Sequence, residues 1–177
     1  MSFKVGDYVV HEGSGVCQIE DIDDMELMGK GSRKTYYCMA PVYKAGAKVF
    51  TPVDGSSAKL RPVTALDKVN NIIEHISDID IINESNDRVR QEVFKETMAQ
   101  FTIESMASVV KTAFIRKCKR IDAGKKVMAQ DEKVLNVAGR KLYEEMAFAM
   151  GSDIIDAQKR FEDAIMQNIS NGALIGA

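Results

Sequence analysis

The fold of the first third of the chain is decided by the stretch Lys4-Val5-Gly6-Asp7-Tyr8-Val9-Val10-His11-Glu12-Gly13-Ser14-Gly15-Val16. Its Gly-Asp pair is typical of a turn, and residues 8–11 have the aromatic and β-branched character of a strand. Gly13 and Gly15 bracket a tight reversal, because glycine adopts positive φ angles at little cost. The stretch therefore predicts a β-hairpin whose second strand begins at Val16.

Further extended runs follow the hairpin, so that four strands are predicted before residue 63. They cover residues 8–11, 16–22, 35–42 and 49–53, and the segment Leu60-Arg61-Pro62-Val63 closes the block. Short gaps with glycine or proline separate the runs, which favours antiparallel pairing. About sixty residues with many short strands predict a small SH3-like or Tudor-like antiparallel β-barrel. We expect Val9, Ile19, Tyr37 and Val49 to be buried in it.

The hydrophobic period changes to that of a helix after Pro62. Thr64-Ala65-Leu66-Asp67 has the form of a capping box for a first helix, and a polar connector over residues 78–86 leads to a helix that begins near Asp87. Three more helices are predicted over residues 102–121, 127–150 and 153–169, with Val110, Phe114 and Leu142 buried. The predicted class is α+β, with a barrel domain at residues 1–63 and a compact helical domain at residues 64–177.

Composition and cysteine usage are those of an ordinary soluble protein. The chain has 177 residues, of which 45% are hydrophobic and 28% charged. Its amino terminus has no apolar targeting segment, so a cytoplasmic location is expected. Cys17, Cys38 and Cys118 are odd in number and widely spaced, which argues against a disulfide framework and against a zinc site.

The sequence offers no arrangement that indicates catalysis. His11 and His75 are the two histidines, and neither has a cysteine or carboxylate at ligand spacing. Glycine-rich phosphate loops and nucleophile elbows are absent, and the acidic run at residues 21–26 lacks the features of a calcium-binding loop. We therefore expect a protein that is not an enzyme and has no cofactor, no metal and no small-molecule substrate.

Charge bounds the kind of nucleic-acid contact that is possible. The net charge is −2, and residues 64–177 contain 16 basic and 18 acidic side chains, which argues against tight autonomous DNA binding. Any contact must come from a local patch, and such a contact would be sequence-independent and sensitive to salt. The candidates are Arg88, Arg90, Arg116, Lys119, Arg120, Lys125 and Lys126. A cluster of cations at a helix C-terminus also has an explanation without a ligand, because it complements the helix dipole.

The Lys4-Val5-Gly6-Asp7 opening, the Gly13-Ser14-Gly15 turn and the Leu60-Arg61-Pro62-Val63 end resemble those of the CarD-like family of bacterial RNA polymerase binders. Members of that family join an N-terminal Tudor-like domain, shared with transcription-repair coupling factors, to a helical domain that touches promoter DNA. The resemblance implies a non-enzymatic transcription regulator. Its barrel would dock on the polymerase β subunit by strand pairing, and its helical domain would modulate open-complex stability at the upstream edge of the bubble.

The resemblance also assigns residues to the polymerase-facing surface. Met25 and Phe50 stand where family members carry arginines on the polymerase-facing strands, with Lys34 nearby. Val49, the neighbour of Phe50, is assigned to the same surface. This contact is therefore expected to be more apolar than is usual in the family.

The DNA-contacting positions match only in part. Arg88 stands where the family has an arginine, and Lys126 follows a glycine-containing loop where the family has a DNA-contacting lysine. Asn86 stands where many members place a tryptophan wedge, and this chain has no tryptophan. Asparagine cannot supply an apolar wedge, so weaker bubble stabilisation is expected. The alternative is an adaptor that binds polymerase or another partner without engaging DNA.

Overall fold

A computed structural model describes residues 3–27, 29, 31–54 and 58–170. The chain divides into two compact units, Met1–Val63 and Thr64–Ala177. The division falls where the hydrophobic period changes from that of strands to that of helices.

The first unit is an antiparallel sheet of five strands. They are β1 (Tyr8–His11), β2 (Gly15–Met25), β3 (Lys34–Pro41), β4 (Val49–Pro52) and β5 (Leu60–Pro62), in the spatial order β4-β3-β2-β1-β5. The four predicted strands are confirmed, and β2 extends three residues beyond its predicted end. The fifth strand was not predicted, because three residues that end in proline carry too little alternation to read.

The sheet is open, so the expected Tudor-like barrel is not confirmed. Within the described residues β4 pairs only with β3, and β5 pairs only with β1. A cleft of about 350 Å³ is lined by residues that include Val53 after β4 and Leu60 in β5. The core lies on one face of the sheet, where Val9, Ile19 and Tyr37 are buried as predicted and Val49 is half-buried.

Both edge strands end in a proline whose missing N–H lies on the open side. The Val53 N–H donates to the Thr35 carbonyl at 2.9 Å, and the Glu12 N–H donates to the Lys59 carbonyl at 3.1 Å. Because bonded and non-bonded pairs alternate in antiparallel ladders, the backbone groups of Pro52 and Pro62 point away from the sheet. Proline at these positions shortens the stretch of each edge that can pair with another strand.

The second unit is helical. It consists of α1 (Leu66–Glu74), a 3₁₀ turn (Ile76–Asp78), α2 (Asp87–Ala99), α3 (Ile103–Asp122), α4 (Ala129–Val134), a π-helical segment (Leu135–Gly139), α5 (Arg140–Met150) and α6 (Ile154–Ser170). The helix predicted over residues 127–150 therefore contains a π-helical segment. Val110, Phe114 and Leu142 lie in one hydrophobic core with Phe94 and Phe161.

The predicted capping box at the start of α1 is wrong. The N-cap is Ala65, which has no side chain to accept a bond, so the helix begins one residue later than the motif requires. Thr64 instead directs its hydroxyl and its N–H to the carboxylate of Glu145, at 2.6 and 3.1 Å. A capping box does occur at α3, where Thr102 and Ser105 exchange side-chain bonds with each other's backbone N–H groups.

Candidate functional site

The edge of β4 exposes the backbone of Phe50. Phe50 lies opposite Cys38 in β3, in a pair that alternates with the bonded pairs of the ladder. Its N–H and carbonyl therefore point to the open side, where β4 has no neighbouring strand among the described residues. The Phe50 side chain is 42% exposed. This edge can accept an extended segment through backbone hydrogen bonds, with an aromatic ring beside it.

Three of the four predicted polymerase-facing side chains share one face of the sheet. Met25 and Lys34 form the last pair of the β2–β3 ladder, and Lys34 lies on the same face of β3 as Cys38, the partner of Phe50. The Lys34 ammonium lies 3.0 Å from a carboxylate oxygen of Asp54. Val49 points to the opposite face and packs against the core, so it contributes backbone rather than an exposed side chain. We call Met25, Lys34 and Phe50 the edge surface.

Asn86 forms the N-cap of α2. Its Oδ1 accepts hydrogen bonds from the N–H groups of Arg88 and Val89, at 3.0 and 3.2 Å. Asparagine is among the best residues for this position, because it satisfies donors that the helix leaves unpaired. The cap leaves Arg88 exposed on the first turn of α2. Asn86 is exposed as well, but its side-chain oxygen is occupied by the helix.

The structure gives Arg90 and Arg116 structural partners. Arg90 is 1% exposed, and its guanidinium donates to the carboxylate of Asp87 and, at 2.9 Å, to the carbonyl of Glu84. Arg116 lies 3.2 Å from the fully buried carboxylate of Asp131 and 3.4 Å from that of Asp87. A buried guanidinium cannot reach a phosphate, so Arg90 does not belong among the DNA contacts expected from the sequence.

Asp87 is the common acceptor of this ion network. The Arg90 hydrogen bond lowers the pKa of the Asp87 carboxyl, and the charges of Arg90, Arg116 and Arg120 act in the same direction against the opposing effect of desolvation. The network ties the first turn of α2 to the second half of α3. It therefore brings Arg88 and the cations at the end of α3 into one region of the helical unit.

The end of α3 is closed by a Schellman-type turn. Gly124 has a φ of 67°, and the N–H of Lys125 donates to the Arg120 carbonyl at 2.8 Å. The Arg120 guanidinium donates to the carbonyl of Lys126 at 2.7 Å, which fixes the following loop. Lys119, Lys125 and Lys126 are exposed.

We call Arg88, Lys119, Lys125 and Lys126 the basic corner. In the part of the chain that the structure describes, ion pairs occupy Arg90 and Arg116 but none of these four side chains. Arg120 lies between the two groups, since it supports the loop and is half-buried. Apart from Arg120, the cations expected from the sequence are thus of two kinds, those that build the helical unit and those that its surface exposes.

The described residues contain no constellation suited to catalysis. His11 is buried, and its Nδ1 accepts the N–H groups of Gly13 and Ser14 at 3.1 and 3.0 Å, so it orders the β1–β2 turn. Burial raises the pKa of the Cys38 and Cys118 thiols, which disfavours a nucleophilic thiolate. No group of three potential metal ligands occurs among the described residues. None of the described helices has the length and apolar character needed to cross a membrane.

Sequence reasoning missed the partners that organise the helical unit. Asp87 and Asp131 neutralise the two arginines, but charge periodicity alone does not show which carboxylate meets which cation. Lys111 is fully buried, and its Nζ donates to the carbonyls of Ile76 and Ile79. A signal for it did exist, because Lys111 follows Ala107 by four residues and precedes Phe114 by three, which places it on the apolar face of α3.

Comparison with known families supports the reading of the first unit. Residues 3–64 match the model of the CarD-like/TRCF RID domain. This family is one of RNA polymerase-interacting domains, and its contact is with the β subunit. The match covers the five-stranded sheet and ends at the boundary between the two units. A search of curated proteins finds no match to the chain.

Proposed function

We propose, because residues 3–64 match the model of the CarD-like/TRCF RID domain, that this protein is a cytoplasmic, non-enzymatic bacterial transcription regulator. The edge surface docks on the RNA polymerase β subunit, and the basic corner contacts promoter DNA near the upstream edge of the bubble. The chain thereby modulates open-complex stability. In this proposal residues 1–63 are the polymerase-interacting domain and residues 64–177 the DNA-contacting domain.

The observation that carries the polymerase contact is the exposed edge of β4. Phe50 directs its backbone groups to the open side, and Pro52 ends the pairing stretch two residues later. A strand of the β subunit can therefore add over a short, defined length. The exposed Phe50 ring supplies apolar contact, as expected where the family has arginine.

The DNA contact rests on the exposed cations of the basic corner. Four unpaired positive side chains in one region attract phosphates without reading bases, so affinity alone is expected to be weak and salt-dependent. Docking on polymerase compensates for this weakness, because it raises the effective concentration of the corner near promoter DNA. The acidic net charge then opposes DNA binding in the absence of polymerase.

The polymerase contact is tested by capture of the isolated β-subunit lobe on the full-length chain. Phe50→Glu places a charge where the incoming strand must dock, and capture is expected to be lost. Val5→Glu is the matched control, because Val5 is 56% exposed and lies outside the strands. Retention by Val5→Glu with loss by Phe50→Glu supports the proposal. Capture by Phe50→Glu at the level of the unaltered chain would show that β4 is not the docking edge.

A shift assay on fork-junction DNA separates the regulator from the adaptor alternative. Binding to fork DNA is expected to be weak for two reasons. The chain has no tryptophan that could act as a wedge, and the buried Arg90 cannot contact phosphate. A regulator binds the fork, and binding weakens when Arg88 or Lys126 is replaced by alanine. An adaptor captures the polymerase lobe but leaves the fork DNA unshifted at low salt.

A further inference from the structure

The segment that precedes α2 has no regular secondary structure after the 3₁₀ turn. It ends at Asn86, the N-cap of the helix that carries Arg88 of the basic corner. We call residues 76–86 the strap. Its first half lines a cleft of about 460 Å³ together with Ser105. Its second half lines a cleft of about 180 Å³ together with Arg116 and Lys119. The strap also packs against the core of the helical unit through its four isoleucines, of which Ile76 is fully buried.

Three polar side chains on α3 bind the strap through its backbone. Lys111 Nζ donates to the carbonyls of Ile76 and Ile79 at 2.7 and 2.6 Å. The Ser108 hydroxyl donates to the Asp80 carbonyl at 2.8 Å. The Thr112 hydroxyl accepts the Ile82 N–H at 3.0 Å. These bonds occur at four positions in seven residues, so they hold the backbone of the strap against α3.

Burying the Lys111 ammonium costs solvation free energy, which indicates that its hydrogen bonds to the strap have a specific structural role. Burial lowers the pKa of the Lys111 ammonium, although the charges of Asp80 and Asp78 oppose that shift. An apolar residue would fill the same site at less cost in solvation free energy. A lysine at this site supplies what an apolar side chain cannot, namely up to three N–H donors, of which the strap carbonyls accept two.

The bonds continue from the strap into the first turn of α2. The Glu84 carboxylate accepts the Asn86 N–H at 2.7 Å, and the Glu84 carbonyl accepts from the buried Arg90 guanidinium. Asn86 in turn caps the helix at Arg88. An uninterrupted series of hydrogen bonds therefore leads from α3, through the strap, to the backbone of an exposed cation of the basic corner.

We propose that Ser108, Lys111 and Thr112 are positioning residues for DNA contact, because they fix the strap and thereby set where Arg88 lies relative to the other cations. This inference rests on the proposed function of the basic corner. The strap does not position Lys126, because the loop that carries Lys126 is fixed by Arg120 instead. Arg88 should therefore depend on the strap bonds, whereas Lys126 should not.

Thr112→Val in the full-length chain removes one strap bond while keeping the branched shape of the side chain. Thr97→Val is the matched control, because the Thr97 hydroxyl donates to the Val93 carbonyl within its own helix. Thr112→Val should speed hydrogen exchange of the Ile82 amide about tenfold and weaken fork-DNA binding about threefold to tenfold. Thr97→Val should change neither quantity appreciably.

A double-mutant cycle distinguishes positioning from general loss of structure. In the Thr112→Val background, Arg88→Ala should cost less affinity than in the unaltered chain, while Lys126→Ala should cost the same in both. Ser108→Ala, which removes a different strap bond, should reproduce the pattern. Lys111→Met should weaken fork-DNA binding more than either of these variants, because it removes two strap bonds. If Lys111→Met does not fold, Thr112→Val and Ser108→Ala alone test the positioning role.

Additive effects of Arg88→Ala and Thr112→Val, with faster exchange in the strap, would overturn positioning while leaving the proposed DNA contact intact. Equal coupling to Arg88 and Lys126 would also overturn it, because a general loss of structure affects both cations. Failure of the unaltered chain to bind fork DNA at low salt would overturn the proposed function itself, and with it the need for positioning. That result is recognised before any variant is made.

Discussion

The edge of β4 and the basic corner expose opposite kinds of chemistry. At the edge the free groups are the N–H and carbonyl of Phe50, and the nearby Lys34 charge lies beside Asp54. At the corner the backbone is satisfied by the Asn86 cap and by the turn at Gly124, and the free groups are charged side chains. Recognition at the first region is expected to rely on strand geometry, and at the second on charge.

The difference also shows what each region needs for its stability. A strand edge is ready for a partner whenever its neighbouring strands are folded, and it requires only protection against the wrong partner, which Pro52 provides. A cluster of like charges repels itself, so the cations in and around the corner need counter-charges. Asp87 and Asp131 supply them to Arg90 and Arg116 and leave the outer cations exposed.

The largest expected contrast between the two regions is in their dependence on salt. If the four cations of the basic corner each neutralise one phosphate, raising salt fourfold should weaken fork-DNA binding about 100-fold. Binding of the β-subunit lobe through backbone bonds and the Phe50 ring should change less than about threefold over the same range. Fluorescence anisotropy with labelled fork DNA and with labelled lobe measures both on the full-length chain. Equal slopes for the two ligands would contradict the division of chemistry.

The first turn of α2 carries an exposed arginine, Arg88, and a buried one, Arg90. Replacing Arg90 should chiefly affect the free energy of unfolding. Arg90→Met keeps most of the side-chain volume but removes the hydrogen bonds that Arg90 donates to the Glu84 carbonyl and the Asp87 carboxylate, at a cost of about 2–3 kcal/mol. Urea unfolding measures the loss. Arg88→Met in the same turn is the control and should stay within about 0.5 kcal/mol, because Arg88 is exposed. A fall in salt slope for Arg90→Met, without loss of stability, would return this residue to the DNA contacts.

Replacing the exposed Arg88 should chiefly affect binding to fork DNA. Arg88→Ala removes one phosphate contact, so the slope of log affinity against log salt should fall by about one while the unfolding midpoint stays nearly unchanged. Lys95→Ala is the control, because Lys95 is an exposed cation on the same helix that pairs with Glu92. An equal slope for Arg88→Ala and the unaltered chain would place the DNA elsewhere.

The fold was predictable from sequence where a periodic pattern extends over enough residues. The aromatic and β-branched run at residues 8–11 and the apolar stripe of α3 predicted their elements correctly, because both patterns reflect burial. β5 and the open sheet were not predictable, since closure depends on whether two short edges meet in space. The predicted N-cap of α1 was wrong by one residue. The local motif does not show that the Thr64 hydroxyl binds Glu145, which is distant in sequence, instead of capping the helix.

The candidate site was predictable only as a set of residue types. Sequence places Arg88, Arg90 and Arg116 together as cations, and nothing in their spacing tells which are neutralised. That distinction depends on Asp131, which lies 15 residues from its partner Arg116, and on the burial of Arg90. Pairing across elements is a property of the packed structure, so charge counts overestimate the positive surface available to a ligand.

The smallest expected effect is a pH dependence that isolates Asp87. The Arg90 hydrogen bond lowers the pKa of its carboxyl from the ordinary 3.8. Since the unfolded chain takes up the proton at higher pH, Asp87 stabilises the fold above pH 3.8, and that contribution is lost as pH falls through the lowered pKa. Asp87→Asn should therefore flatten the acid side of the urea-midpoint profile, with Glu92→Gln as the control. Because Asp87 is half-exposed, the change is modest, and an unchanged acid slope would mean that Arg90 relies on the Glu84 carbonyl alone.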